Sequence, residues 1–477
     1  MKRVVATVLA VVLAISGLSA QNMRTGYFMD GYAFNFKMNP AIGSSRGFFS
    51  IPIVGNTNAG VSTNLALSSI LYPKSDGSGL TLFLNSEVPA DLALSKFKPI
   101  NKLNVNTDLS LIAFGFWTGS SFRMFHNFEV SLKADVNASL PYDLFRFAKE
   151  GTVNGDKFSL DNLGVSANTY LSVAYGFNIP IGKHVRLGAR VKALFGLASA
   201  ELDLTGTRLQ AASDKWTIST VGKLMMALPA KAELPVDEDG NYNFAGLGES
   251  FSNPDLLSNI GSTFGSAGAA VDLGVTVDFL ENFTASVSVT DLGFVSWNNC
   301  YLGEGLKDAS GQPVEYVVVD NTTTTDFSQL GEKLQNCIKI KSTEYGVKKT
   351  TMLSPMLYVG LQYRMPFYER LSVGALSSTK FSGKSATWTE GRFCINLDPV
   401  NWFSISTNYA YSTFGHSAGA ALSFHLPGLN LFVGTDSYIP LTNVTPQWVP
   451  VNAVTTSVTV GLNIMFGRYS GRYANND

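Results

Sequence analysis

The chain has 477 residues, of which 45% are hydrophobic and only 15% charged, whereas a soluble protein of this size carries about a quarter charged residues. Lys and Arg number 35 against 36 Asp and Glu, a net charge of −1, so no bulk field draws a polyanion and nucleic-acid binding is excluded as a first reading. With 12% aromatic residues and 18 Pro, disordered and collagen-like chains are excluded as well.

At the amino terminus, Lys2 and Arg3 precede an apolar run from Val4 to Leu18 that closes on Ser19-Ala20 before Gln21. This is the pattern of a secretory signal peptide over 1–20. No Cys stands at the cleavage point, so a lipoprotein is not expected. Beyond residue 20 no apolar stretch reaches the ~18 residues of a membrane helix. A hydrophobic, exported chain without such a helix is either a large soluble all-β protein or a closed membrane β-barrel, whose strands are apolar on one face only.

Residues 21–56 form an amino-terminal segment. Gly43, Gly47 and Gly55 with Pro40 and Pro52 suit an irregular path through a wide interior. The alternatives are a plug in a barrel lumen, or an amino-terminal strand with a periplasmic tail.

From residue 57 the hydrophobic period is two. Phe122, Met124, His126, Phe128, Val130, Leu132, Ala134 and Val136 alternate with Arg123, Phe125, Asn127, Glu129, Ser131, Lys133, Asp135 and Asn137. Soluble strands average about five or six residues, while a tilted membrane strand needs about nine to eleven. The same alternation predicts fourteen strands, near 57–67, 107–118, 122–136, 167–179, 184–200, 268–279, 283–295, 354–365, 370–381, 389–397, 402–412, 417–426, 429–437 and 454–467, with twelve or sixteen as alternatives.

Alternate connections are short Gly, Pro, Asn or Ser turns, such as Gly119-Ser120-Ser121, Leu280-Glu281-Asn282 and Pro427-Gly428. The complementary ones, 68–106, 137–166, 201–267, 296–353 and 438–453, are long, the asymmetry of outer-membrane barrels. Asp214 to Gly222 reads as a hairpin extension, and Tyr142–Phe147 and Asn253–Ile260 as short helical turns. Trp117, Trp297, Trp402 and Tyr368 fall near strand ends, where interfacial girdles lie. A polar tail, 468–477, follows the barrel of 57–467.

The candidate lumen residues are Glu129, Lys133 and Asp135 on one strand and Arg186, Arg190 and Lys192 on another. On the lipid face each Arg or Lys would cost roughly 2–4 kcal/mol at mid-depth, so these charges point inward. They read either as a mutually paired, solvated wall or as a basic constriction for anionic solutes. The four His, 126, 184, 416 and 425, lack metal-ligand spacing, with His126 read as a belt residue and His425 as a lumen residue. No nucleophile elbow, His-Glu-x-x-His or phosphate-binding loop is present. No catalysis, metal or cofactor is expected. Cys300 and Cys337 share the 296–353 connection and are candidates for a disulfide. Cys394, beside Phe393 and Ile395, reads as an unpaired apolar filler on the outward parity.

Tyr27-Phe28-Met29-Asp30-Gly31-Tyr32, Asn39-Pro40-Ala41 and Gly47-Phe48-Phe49-Ser50-Ile51-Pro52, with Val287 to Trp297 later, resemble an uncharacterised family of Bacteroidota outer-membrane β-barrels, a domain-of-unknown-function family. The Asn39-Pro40-Ala41 segment and the strand count are more distantly similar to the long-chain fatty-acid transporter (FadL-like) superfamily. That resemblance implies an internal amino-terminal hatch. No ligand-contacting residue of those transporters aligns, so it implies no substrate.

The expectation is an all-β, transmembrane antiparallel β-barrel in the outer membrane of a Gram-negative bacterium, in contact with lipid and passing a small hydrophobic or anionic solute. The alternative is a structural barrel docking a surface or secretion partner through the 201–267 and 296–353 loops.

Overall fold

Strand-length alternation needs a partner on both edges, and here the strands find partners by closing a ring. The computed structural model describes residues 23–77, 79–119, 123–150, 157–211, 216–229, 233–243, 265–308, 310–318, 339–382, 387–438 and 453–467. Among them the strands are, in chain order, β1 (Gly47–Ser50), β2 (Thr57–Ala66), β3 (Leu71–Pro73), β4 (Leu80–Leu82), β5 (Ile100–Thr118), β6 (Met124–Pro141), β7 (Lys157–Ser159) and β8 (Gly164–Ile181). Next come β9 (Val185–Leu204), β10 (Arg208–Ala211), β11 (Trp216–Ser219), β12 (Gly222–Ala227), β13 (Ser266–Phe279), β14 (Phe283–Gly305), β15 (Glu315–Val318) and β16 (Ile340–Met352). The last are β17 (Met356–Arg364), β18 (Leu371–Lys380), β19 (Trp388–Val400), β20 (Phe403–Ser412), β21 (Gly415–Leu426), β22 (Leu429–Tyr438) and β23 (Ala453–Phe466).

Successive wall strands β5, β6, β8, β9, β13, β14 and β17 to β23 pair antiparallel, and β1 and β2, sharing one position, both pair with β23 and with β5. The result is a closed antiparallel barrel of fourteen strand positions. Every position predicted from the sequence is occupied. The wall begins earlier than expected, because β1 lies inside the 21–56 segment and Gly47 to Ser50 pair with Phe466 to Asn463.

The barrel is inverted relative to a soluble protein. On β13, Leu273 is 51% exposed and its neighbour Asp272 is 0% exposed. Val191, Val359, Phe393, Val433 and Val458 also face outward, while Asn127, Glu129, Arg190, Asn408 and Asn463 are buried inside. An apolar exterior with a charged interior suits lipid outside. Trp402 and Tyr368 project from the short-turn end, and Tyr409 and Tyr411 from the other.

Four expectations are corrected. Trp297 is 1% exposed and faces inward, its Nε1 donating to Thr351 Oγ1 at 2.7 Å. The cause is a bulge: Asp291 has φ 58° and the β13–β14 register shifts between Val271 and Leu273, so outward parity passes from Val287 to Leu292 and Phe294. Trp117 also turns inward, since the β5–β6 register shifts between Ser110 and Ile112, and its Nε1 donates to Ser44 O at 2.9 Å. Cys394 is fully buried on the inner face, because its neighbours Phe393 and Ile395 take the outward positions. The 296–353 connection is partly wall, since β14 runs on to Gly305 and pairs there with β16.

Above the long-loop rim, β7, β10, β11 and β15 form a small separate sheet. It includes the β10–β11 hairpin, part of which was expected at 214–222. Tyr142–Glu150 is a helix. The turn expected at 253–260 and Cys337 lie outside the described residues. Cys300 is buried on β14.

Candidate lumen site

Residues 23–46 have no strand periodicity, only two short 3-10 turns at Arg24–Gly26 and Asn35–Lys37. Their backbone groups therefore need partners from elsewhere. The wall supplies them: Asp436 on β22 accepts from Arg24 N at 3.0 Å and from Thr25 N at 2.7 Å. Ser406 Oγ on β20 donates to Thr25 O, Ser423 Oγ on β21 to Gly31 O, and Ser288 Oγ on β14 to Met38 O, all at 2.7–2.9 Å. Partners on opposite sides of the ring place this segment inside the barrel.

Asn39, Pro40 and Ala41 form a close contact with the wall. Asn39 Oδ1 accepts from Ala41 N at 3.0 Å, and Asn39 Nδ2 donates to Tyr27 Oη at 3.1 Å, locking the bend to the segment's first turn. The bend lies on Gly188 of β9 and Gly274 of β13, which are cross-strand partners. A Cβ at Gly188 would stand 2.1 Å from the Pro40 carbonyl carbon, and one at Gly274 2.0 Å from Asn39 Oδ1. Only a bare wall admits the chain there. Beside it Phe34 and Phe48 meet at a tilt of 57° with centroids 5.1 Å apart, and Tyr32 meets Phe432 edge-on at 5.0 Å.

Two buried charge networks flank the aromatic cluster. In the first, Lys37 Nζ donates to Asp108 Oδ1 at 2.8 Å and to Glu129 Oε1 at 2.7 Å. Arg190 Nη2 lies 2.5 Å from Glu129 Oε2, Lys192 Nζ lies 2.7 Å from Asp272 and 2.6 Å from Asp291, and Lys133 Nζ lies 3.4 Å from Asp291. In the second, Arg24 lies 3.1 Å from Asp436 and 3.5 Å from Glu390, which Arg392 meets at 2.8 Å. Lys380 pairs with Asp135.

Of the candidate lumen residues, the fold thus brings Glu129, Arg190, Lys192 and Lys133 into one network. Asp135 sits apart with Lys380. Arg186 is half-buried near the short-turn end, donating to Asn178 Oδ1 at 3.0 Å and stacking over Trp117. Sequence reasoning missed Lys37 and Arg24, because neither lies on an alternating strand, and missed Asp436 as the partner of Arg24 and Asp272 and Asp291 as the partners of Lys192.

His126 faces outward, bonded to Tyr175 Oη at 2.8 Å, and His425 packs beneath Gly31. Ser404 Oγ is 3.1 Å from His425 Nε2 but donates its proton to Asp398. Among the described residues no three His, Cys, Asp or Glu side chains are placed to hold a metal ion.

In solved structures, the fold is similar to the toluene transporter TbuX of Ralstonia pickettii, at 10% identity and TM-score 0.41, covering 92% of this chain and 95% of that one. It is also similar to the toluene transporter TodX of P. putida, at 10% identity and TM-score 0.37 over 91% and 94% of the two chains. A FadL homologue of Pseudomonas aeruginosa gives 8% identity and TM-score 0.41 over 94% and 99%. Likeness this distant carries neither substrate nor mechanism across. No curated protein matches the chain. Residues 40–436 match a family of unknown function, and the chain belongs to it: DUF5723.

Proposed function

We propose that this protein is an outer-membrane channel for passive passage of a small solute, exported with residues 1–20 as its leader, and that residues 23–46 act as a hatch in its lumen. The observation that carries this is a closed wall, apolar outside and polar within, filled by a segment that the wall holds through hydrogen bonds and ion pairs. Such contacts can break without unfolding the wall. One cavity borders the segment and a second lies among the wall strands. The first, of about 260 Å³ at the short-turn end, is lined by Asp30, Asn35, Trp117 and Arg186. The second, of about 700 Å³ toward the loops, is lined by Asn137, Asn168, Ser199 and Thr351.

A hydrophobic solute is supported by the aromatic filling around Phe34 and Phe432. An anionic one has less support, because Arg190 and Lys192 are already paired. Purified protein in planar bilayers tests the channel: the reading expects discrete openings that become frequent when residues 23–46 are deleted. A deletion barrel that folds yet stays electrically silent contradicts it.

The docking alternative draws on β12 and β16, which raise the wall beyond the loop rim, and on the small sheet above it. Trimming the 201–267 and 296–353 connections should then abolish partner capture while leaving conductance intact.

A further inference from the structure

The charges inside the wall do not balance by themselves. Among the described residues, the ion-paired wall side chains of the lumen are five cations, Lys133, Arg190, Lys192, Lys380 and Arg392, and seven carboxylates, Asp108, Glu129, Asp135, Asp272, Asp291, Glu390 and Asp436. The deficit is made up by two residues of the amino-terminal segment, one per network. Lys37 enters between Asp108 and Glu129, and Arg24 between Asp436 and Glu390. Each is almost fully buried. Moreover, among the described residues Asp272 Oδ2 is fully buried and accepts no hydrogen bond, although Lys192 Nζ lies 2.7 Å from Oδ1 of the same carboxylate. The two networks thus hold more negative charge than the wall cations within them satisfy.

Burying a carboxylate without a counter-ion is strongly unfavourable. If the segment moved, Asp108 with Glu129, and Asp436 with Glu390, would each be left one positive charge short. Water and mobile cations would have to replace the Lys37 ammonium and the Arg24 guanidinium. The donors to Asp436, the Arg24 and Thr25 amides and the Arg24 guanidinium, would leave with the segment and free the carboxylate for a small cation, while Glu129 stays within reach of the Ser110 hydroxyl of the wall.

We propose that the amino-terminal segment is a tethered competitor for two cation stations in the lumen wall, and that the pore it uncovers selects cationic solutes, those bearing ammonium or guanidinium groups included. This rests on the channel reading, and it gives the opposite charge preference to a basic constriction. Arg190 and Lys192 do not make the pore anion-selective, because Glu129, Asp272 and Asp291 already neutralise them.

The test is single-channel recording across a tenfold KCl gradient, with barrel folding checked by heat-modifiable gel mobility. The unaltered protein comes first, since its own spontaneous openings report selectivity without any substitution. Their reversal potential should lie on the potassium side. Lys37→Met and Arg24→Met should raise opening frequency about tenfold or more, the scale of removing one partner of a buried pair. Added guanidinium or methylammonium, at constant ionic strength, should do the same in the unaltered protein. Adding Asp436→Asn to Arg24→Met should shift the reversal potential toward chloride. Openings that are anion-selective or unselective overturn this proposal and leave the channel reading standing. Folded barrels that never conduct, with or without residues 23–46, overturn both.

Discussion

The wall and the segment inside it follow opposite rules. The wall is periodic, each strand bonds to its neighbours, and its side chains sort by parity into apolar outside and polar inside. Residues 23–46 are aperiodic, take part of their backbone hydrogen bonds from wall side chains and part from their own short turns, and bury aromatic rings and cations together. The wall is specified by a pattern, the segment by a fit. A substitution on the wall's outer face should therefore act through lipid, and one at the shared inner surface should act on both parts at once.

The largest effect is expected where both parts share a charge. Glu129→Leu removes the carboxylate between Lys37 and Arg190, leaving two buried cations short of a partner. It should cost about 3–5 kcal/mol in urea unfolding from lipid and loosen the segment to added protease. A loss below the level of an exposed pair would mean that the network is wet and the division of labour wrong.

A lipid-face change should follow. Val359→Arg, at an exposed site on β17, should cost about 2–4 kcal/mol in the same titration and leave protease resistance of the segment unchanged. The segment's own bend comes next: Asn39→Ala deletes the bonds to Ala41 N and Tyr27 Oη, with an expected cost of about 1–3 kcal/mol. That loss should appear as faster opening at near-normal wall stability. The smallest effect is expected above the rim, where deleting the β10–β11 hairpin removes part of a sheet that pairs with no barrel strand. Conductance and unfolding midpoint should both stay within error.

This contrast also explains what the sequence could reveal. Alternation over residues such as Leu357, Val359 and Leu361 marks an apolar outer face directly, so the closed barrel and all fourteen positions were readable. Bulges were not. The shifts at Asp291 and near Ser110 reverse parity, which misdirected Trp297 and Trp117 to the belt. Beyond the rim of the fourteen-strand wall both faces of β14 and β16 meet water or protein, the apolar–polar contrast disappears, and the strands read as loop. Cys394 was recoverable, since strict alternation from Phe393 and Ile395 puts it inside. The charge networks were half-readable: Glu129, Arg190 and Lys192 stand on patterned strands, whereas Lys37 and Arg24 sit in a stretch whose position only the folded wall determines. One clue was present, in Gly188 and Gly274, glycines within otherwise apolar strands, which mark close approach of another backbone.

The most direct test of the account is a cross-link between the bend and the wall. In a chain whose Cys300, Cys337 and Cys394 are replaced by Ser, Asn39→Cys and Gly274→Cys should form a disulfide on mild oxidation of the lipid-embedded protein, since a Cβ at position 274 would lie 3.0 Å from Asn39 Cγ. The account predicts near-complete cross-linking, read as a mobility shift reversed by reductant, together with loss of channel opening. Two thiols that stay free and reactive in a correctly folded barrel would place the amino-terminal segment outside the lumen and contradict it.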